Sequence, residues 1–308
     1  MSNIFLSALR KIAYHINRVI QAFPDRTKEV GLELKYEKGG RVPWSLGYRQ
    51  ARDRFIRQTL GDQALMDLFR GNRELPQGFG VGFDERCVEY PWLLSKLPPT
   101  CEHLLDAGSA LNDDSILSHP IVSNKKLYVL TLAPEKDCYW KNGISYIYDD
   151  LRNIPLRDDY LDTIACLSTL EHVGLDNRLF THSERDEGHR PDDFLLAISE
   201  MRRILKPMGK LFITVPYGKY FNFGTFQQFD CKLVKKTIAR LGPGRVEKTY
   251  FSYSANGWNL STARACDGAE YVNWVMLPPD ERPETFPDQT DGAAAARAIA
   301  CIMFIKPA

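Results

Sequence analysis

The sequence predicts an α/β protein built on a doubly wound sheet, and three observations carry that prediction. Short apolar runs alternate with amphipathic stretches from about residue 103 to the end of the chain, the pattern of strands separated by helices. The run His103-Leu104-Leu105-Asp106 passes through the small residues Ala107-Gly108-Ser109-Ala110 into Asn112-Asp113-Asp114-Ser115, ahead of Ile116-Leu117. That reads as a buried strand, a tight turn and the polar start of a helix. Finally, Leu195, Ile198, Met201 and Leu205 recur at helical spacing, opening after Pro191-Asp192 and stopping at Pro207.

Taken in order, residues 1–23 predict an amphipathic helix, with Phe5, Leu9, Ile12, Ile16, Val19 and Phe23 at three- and four-residue steps and Pro24 ending it. Its basic residues follow the apolar stretch with no small-residue cleavage site, which argues against a signal peptide. It reads as a packing or oligomer helix, or as a basic helix making peripheral contact with an anionic membrane surface. Residues 24–45 are irregular, with Gly39-Gly40 and Pro43 as breakers. Helices are expected at 47–60, 62–70 and 85–97. Gly78-Phe79-Gly80-Val81-Gly82-Phe83 lacks the preceding strand that phosphate cradling needs, so a mobile loop is expected there. Strands are expected at 103–106, 126–132, 144–148, 161–167, 210–215, 246–252 and 299–305, and a further helix at 228–241. The domains are then a helical extension over 1–99 and a sheet domain over 100–308, with an insertion at about 255–297.

Composition narrows the function. A net charge of +1 gives no field for holding a polyanion, so nucleic acid is not an expected partner. Seven cysteines without a C-x-x-C pair suit reduced thiols in the cytoplasm. No run approaches the ~18 consecutive apolar residues of a membrane span.

Gly108 has no Cβ and lets the backbone approach a ligand closely, while the Asp106 carboxylate suits a cationic or hydroxyl-bearing group and would repel a pyrophosphate. Beyond it come Asp150-Leu151-Arg152-Asn153-Ile154-Pro155, then Ser168-Thr169-Leu170-Glu171-His172-Val173, then Arg203-Ile204-Leu205-Lys206-Pro207-Met208-Gly209. These four motifs, in this order over about residues 100–220, resemble the class I S-adenosylmethionine-dependent methyltransferases of the broad type 11 group. The resemblance implies a Rossmann-like seven-stranded sheet whose last strand runs antiparallel between the fifth and sixth, and S-adenosylmethionine as cofactor. It implies that Asp106, Ala107, Gly108 and Ser109 hold the cofactor's amino-acid end. Asp150, Leu151 and Arg152 would meet the adenine, Ser168 would stand beside the cofactor, and Glu135 would take the ribose hydroxyls. Arg86 either faces the cofactor's carboxylate or is a solvated or structural arginine. Ala110 and Asn112 stand where further glycines are usual in the family.

His172 is then placed beside the transferred methyl group, as the base for an acceptor hydroxyl or in a positional role. Asp176 is the second candidate base. Glu171 and His172 resemble a metal-binding pair of some relatives, but Ser168 stands where those carry another glutamate, so no metal is expected. Val42-Pro43-Trp44-Ser45, Val88-Glu89-Tyr90-Pro91-Trp92, the loop after Ser168, Gly257-Trp258 and Ala294-Ala295-Ala296-Arg297-Ala298 are similar to methyltransferases of bacterial surface-polysaccharide pathways. That implies a sugar hydroxyl of a glycan or its precursor as acceptor, with the insertion (Trp258, Tyr271, Trp274 and the Pro/Asp-rich stretch 278–291) as part of the acceptor wall. A small lipid or quinone acceptor, or a non-catalytic cofactor-binding scaffold, stays open. A nicotinamide oxidoreductase is disfavoured, because no tyrosine is followed four residues later by lysine.

Overall fold

The computed structural model describes residues 30–184, 187–273 and 291–308. The helix expected over 1–23 lies outside them, as do Trp274 and most of the Pro/Asp-rich stretch. The chain forms two compact units, one ending at Phe55 and the other beginning at Ile56. Residues 56–99, expected to belong to a separate extension, therefore share a unit with the sheet. In the first unit lie α1 (residues 30–38) and the start of α2 (Tyr48–Gly61). There Glu33 pairs with Arg54 at 2.8 Å, and Tyr36 meets Tyr48 edge to face.

The second unit contains α3 (Gln63–Arg70) and α4 (Arg86–Lys96). Asp62 caps α3 by accepting the N–H groups of Ala64 and Leu65, two of the donors a helix start leaves free. The glycine-rich run before α4 is a packed connection and not the expected mobile loop. Trp258 Nε1 donates to Phe83 O at 2.9 Å, Gly82 N donates to Tyr253 Oη at 2.9 Å, and a Cβ on Gly80 would stand 2.7 Å from Cys87 Sγ.

Strands β1 (His103–Ala107), β2 (Lys126–Thr131), β3 (Ser145–Tyr148), β4 (Leu161–Leu167) and β5 (Leu205–Pro216) are parallel. Between them run α5 (Asp114–Leu117), α6 (Pro120–Ser123), α7 (Arg178–Thr181) and α8 (Phe194–Ile204). A two-residue ladder, β6 (Phe221–Asn222) with β7 (Gln227–Gln228), precedes α9 (Cys231–Leu241), β8 (Arg245–Ser254), β9 (Gly257–Ser261), α10 (Ala263–Cys266) and β10 (Ala298–Ile305). The main sheet has the order β3-β2-β1-β4-β5-β10-β8-β9. β10 lies antiparallel between β5 and β8, as expected of the last strand. The sheet has eight strands where seven were expected, because β9 folds back on β8 with Ser254 opposite Gly257. Gly257 takes φ +85°, and Asn256-Gly257 is a pair suited to such a turn.

α8 buries Phe194, Ala197, Ile198, Met201 and Ile204 in one core with residues of β4, β5 and β10. Each of the large ones contributes about 1.5–3 kcal/mol. The helix ends at Ile204 and not at Pro207. Leu205 already pairs with Leu161, and the carbonyls of Arg203 and Ile204 accept from Asp159 N and Tyr160 N. Pro207 has no N–H to offer Arg203, so the turn before β4 claims that carbonyl unopposed. Among the described residues no helix is long and apolar enough to cross a membrane.

Candidate active site

A cavity of about 590 Å³ opens beyond the carboxyl ends of β1, β2 and β4. Strand order reverses between β1 and β4, the place where open α/β sheets bind ligands. Gly108, Thr131, Glu135, Asp150, Ser168 and His172 are among the residues on its wall.

The turn after β1 is shaped from beneath. Asp106 is fully buried, its Oδ1 accepting Ala110 N at 3.0 Å and its Oδ2 accepting Leu111 N at 2.8 Å. Burial pushes its carboxyl up to about 7, against the pull of those two amides. This corrects the expectation that the carboxylate faces a ligand: Asp106 is not on the cavity wall, and it folds the turn so that backbone is. Ala107 is buried in the core beside it. Gly108 is on the wall with φ +111°, and a Cβ there would stand 2.1 Å from Thr169 Oγ1, so only glycine fits. Ser109 is also left-handed, at φ +62°, and its Oγ is buried without a hydrogen-bond partner.

On the far wall stand Asp150, Leu151 and Arg152. Arg152 Nη2 donates to Asp150 Oδ2 at 2.6 Å, and its Nη1 donates to Asp193 Oδ2 at 2.7 Å. Asp150 Oδ1 accepts Arg152 N at 2.8 Å, so this motif presents an ion pair fixed at both ends. Glu135 reaches the wall from the loop after β2. Asn112 holds that loop: its Nδ2 donates to Asp137 O at 3.0 Å, and its Oδ1 accepts from Tyr146 Oη at 2.8 Å. The departure from the family's glycines thus acquires a job that glycine cannot perform.

α4 covers the other side. Arg86 lines the cavity, and its Nη1 donates to Glu89 Oε2 at 2.8 Å. Glu89 is fully buried, and its Oε1 accepts from Ser168 Oγ at 2.6 Å and from Thr214 Oγ1. Ser168 sits at φ +40° at the end of β4, its N–H donating to Thr214 O at 3.1 Å. One carboxylate therefore joins α4, β4 and β5. Tyr90 Oη donates to Ala110 O at 2.6 Å and ties α4 to the β1 turn as well. Sequence reasoning missed Glu89 and Thr214 in these roles. The available signal was an acid inside the apolar run Val88–Leu94, since a buried carboxylate is costly unless paired.

His172 lies in a single helical turn, Leu170–His172, after β4. Its Nδ1 is 2.8 Å from Thr225 O. A carbonyl only accepts, so Nδ1 carries the hydrogen and Nε2 is the acceptor of the neutral ring. Burial pushes the imidazole down to about 4, with the Arg86 charge adding to the effect, so the ring is neutral at physiological pH. Phe180 meets it edge-on at 5.3 Å and Phe226 stands at 5.7 Å. Phe226 stacks on Phe223 at 4.5 Å and meets Tyr271 at 4.7 Å. Tyr271 thus joins an aromatic wall beside His172, whereas Trp258 is buried beneath β8 and the glycine-rich run, a correction to its expected place at the acceptor. Glu171 is buried with Oε2 unpartnered, and burial drives its carboxyl well above the usual range.

Asp176 is also corrected. Arg178 donates from Nη2 at 2.8 Å, and from Nε and the backbone N at 3.0 Å, holding this carboxylate down to about 2, and Asp176 is not on the cavity wall. Such a carboxylate is a weak proton acceptor. Asp176→Asn is expected to leave kcat within about twofold, against the about 10²–10⁴-fold that a general base supplies. Steady-state methyl transfer checks this, and a drop of the larger size would restore Asp176 to the mechanism.

Among the described residues, no group of three or more His, Cys, Asp or Glu side chains is placed to hold a metal ion. Residues 127–213 match the family model described as a methyltransferase domain, type 11. No curated protein matches the chain. Among solved structures, the chain is similar to 1,6-didemethyltoxoflavin-N1-methyltransferase of Burkholderia thailandensis, with bound 1,6-didemethyltoxoflavin and S-adenosylhomocysteine. Identity is 10%, coverage 93% of this chain and 90% of that one, and the TM-score 0.41. A SAM-dependent methyltransferase of Aquifex aeolicus is 16% identical over 56% of this chain and 87% of that one, at a TM-score of 0.37. The YcgJ protein of Bacillus subtilis is 11% identical over 71% and 98%, at 0.43. At these values they are likenesses only.

Proposed function

We propose that this chain is a class I S-adenosylmethionine-dependent methyltransferase and that it methylates a sugar hydroxyl of a glycan or glycan precursor. The observation that carries the hydroxyl reading is His172, a neutral imidazole on the cavity wall with Nδ1 fixed by Thr225 O and Nε2 left to accept a proton.

The cavity suits the cofactor. The turn after β1 brings the Gly108 backbone to the cavity wall, packed against Thr169 so closely that no Cβ fits, and the buried Ser109 Oγ has no partner. Glu135, Leu151 and Arg86 line this one cavity, which supports reading the first two as partners of the ribose and adenine and Arg86 as the partner of a carboxylate. When bound, S-adenosylmethionine supplies a methyl group on a positively charged sulfur. The residues present do the rest by positioning and proton transfer. The acceptor oxygen becomes strongly acidic as its new C–O bond forms, so even an imidazole with a pKa of about 4 can take the proton at Nε2. Phe180, on the cavity wall beside the His172 ring, gives an apolar surface suited to one face of a sugar ring.

Incubation of the chain with methyl-labelled cofactor and separate polysaccharide and lipid extracts tests the acceptor. Label in the polysaccharide fraction is expected. Label confined to lipid would replace the sugar by a small lipid or quinone, and binding of S-adenosylhomocysteine with no turnover on either would leave a scaffold.

A further inference from the structure

We propose a second ligand site, for a phosphoryl group on a soluble small molecule, at the opposite end of the strands, toward the start of β5. A cavity of about 390 Å³ there is lined by Ser199, Arg202, Arg203, Arg240 and Lys306: four cations, one hydroxyl and no acid. α8 provides the first three, α9 provides Arg240, and Lys306 follows β10. The end of β10 pairs with Lys210 of β5, far along that strand from Thr214 and the methyl-transfer cavity.

Two of the four cations are already engaged. Lys306 Nζ donates to Asp159 Oδ1 at 2.7 Å and to the carbonyls of Arg202 and Leu205 at 3.0 and 2.6 Å. Arg203 is shared between Asp158 Oδ1 at 2.7 Å, Glu200 Oε2 at 2.8 Å and the carbonyls of Ile154 and Leu156. Arg240 and Arg202 have no acidic partner among the described residues. Arg240 meets only the neutral oxygens of Leu195 and Ser199. Arg202 has a buried Nε that donates to nothing.

Both arginines lie in the last turns of their helices, where the helix dipole favours a cation. The dipole does not explain why two guanidinium groups line one cavity without an acid on its wall, where they repel each other. It does not supply an acceptor for the buried Nε either. A phosphoryl dianion answers both. Its two charges match the two unpaired guanidinium groups, and its oxygens accept from their planar N–H forks. A carboxylate would leave one positive charge over.

Calorimetric titration of the full chain with pyrophosphate and with inorganic phosphate, at constant ionic strength, tests the site. Saturable binding is expected, weakened at least tenfold in the Arg202→Met/Arg240→Met variant, whose thermal melt reports folding. Should that variant not fold, Arg240→Gln, at an exposed helix end, is expected to weaken binding threefold or more. Absence of saturation in the unaltered chain, or unchanged affinity in folded variants, overturns the site. Displacement of the anion by S-adenosylhomocysteine overturns it too, by placing the anion in the other cavity.

Discussion

Replacing His172 by alanine is expected to lower kcat about 10²–10³-fold while leaving the Kd of S-adenosylhomocysteine within about twofold. The split follows from geometry. Thr225 O orients the ring through Nδ1, and the walls near Gly108, Glu135 and Asp150 do not depend on it. The pH profile adds a second reading of the same group. The folded imidazole titrates near 4 and an unfolded one near 6.5. Nε2 is therefore free through the neutral range, and kcat has no acid limb from His172 until well below pH 6. For stability the sign is equally fixed. The unfolded chain takes up a proton near 6.5 that the folded chain refuses until about 4, so this contribution is present above 6.5 and lost as pH falls toward 4. Stopped-time methyl-transfer assays between pH 4.5 and 8.5 check it. A limb at 6.5 that vanishes in His172→Ala would mean the ring is solvated.

Glu89→Gln is expected to weaken S-adenosylhomocysteine about tenfold, yet to leave 5′-methylthioadenosine, which lacks the amino-acid end, within about twofold. The fully buried Glu89 is the anion beside Arg86, and the same carboxylate receives Ser168 and Thr214. Removing one partner of a buried pair costs about 3–5 kcal/mol. Glutamine keeps one oxygen for the two hydroxyls, so about half that loss is expected. For a unit of this size it corresponds to a fall in Tm of about 4–8 °C. Titration with both ligands, beside a thermal melt, separates the roles. Equal loss for the two ligands would show that Glu89 holds the fold and says nothing to Arg86.

How much of this was legible in the chain depended on whether a feature is decided locally. β4 is read to the residue, because Leu161–Leu167 ends in the unbroken apolar run Ile164–Leu167 and is bounded by polar turns. Gly108 is equally legible, since a strand followed by a small-residue turn permits few backbones. The C-terminus of α8 was not, because β4 and its preceding turn take the carbonyls of Arg203 and Ile204, a decision made from some forty residues away. β9 was hidden by its length and by an insertion that reads as loop. The carboxylates Asp106 and Asp176 were recognised as important in type but misassigned in role. Amides and a guanidinium claim them, and those partners emerge only in three dimensions. Glu89 is the mirror case, an acid whose purpose exists only once three elements meet.

The stitching of α4 also fixes it as a covering element. It is sewn to the β1 turn through Tyr90 and to two strand ends through Glu89, and the run before it is sewn to β8 and β9 through Gly82 and Trp258. Swinging this helix aside would break all of those seams at once. The loop side is built differently: a groove of about 260 Å³ lined by Arg152, Glu187 and Arg190 shares Leu132, Asp150 and Asn177 with the main cavity.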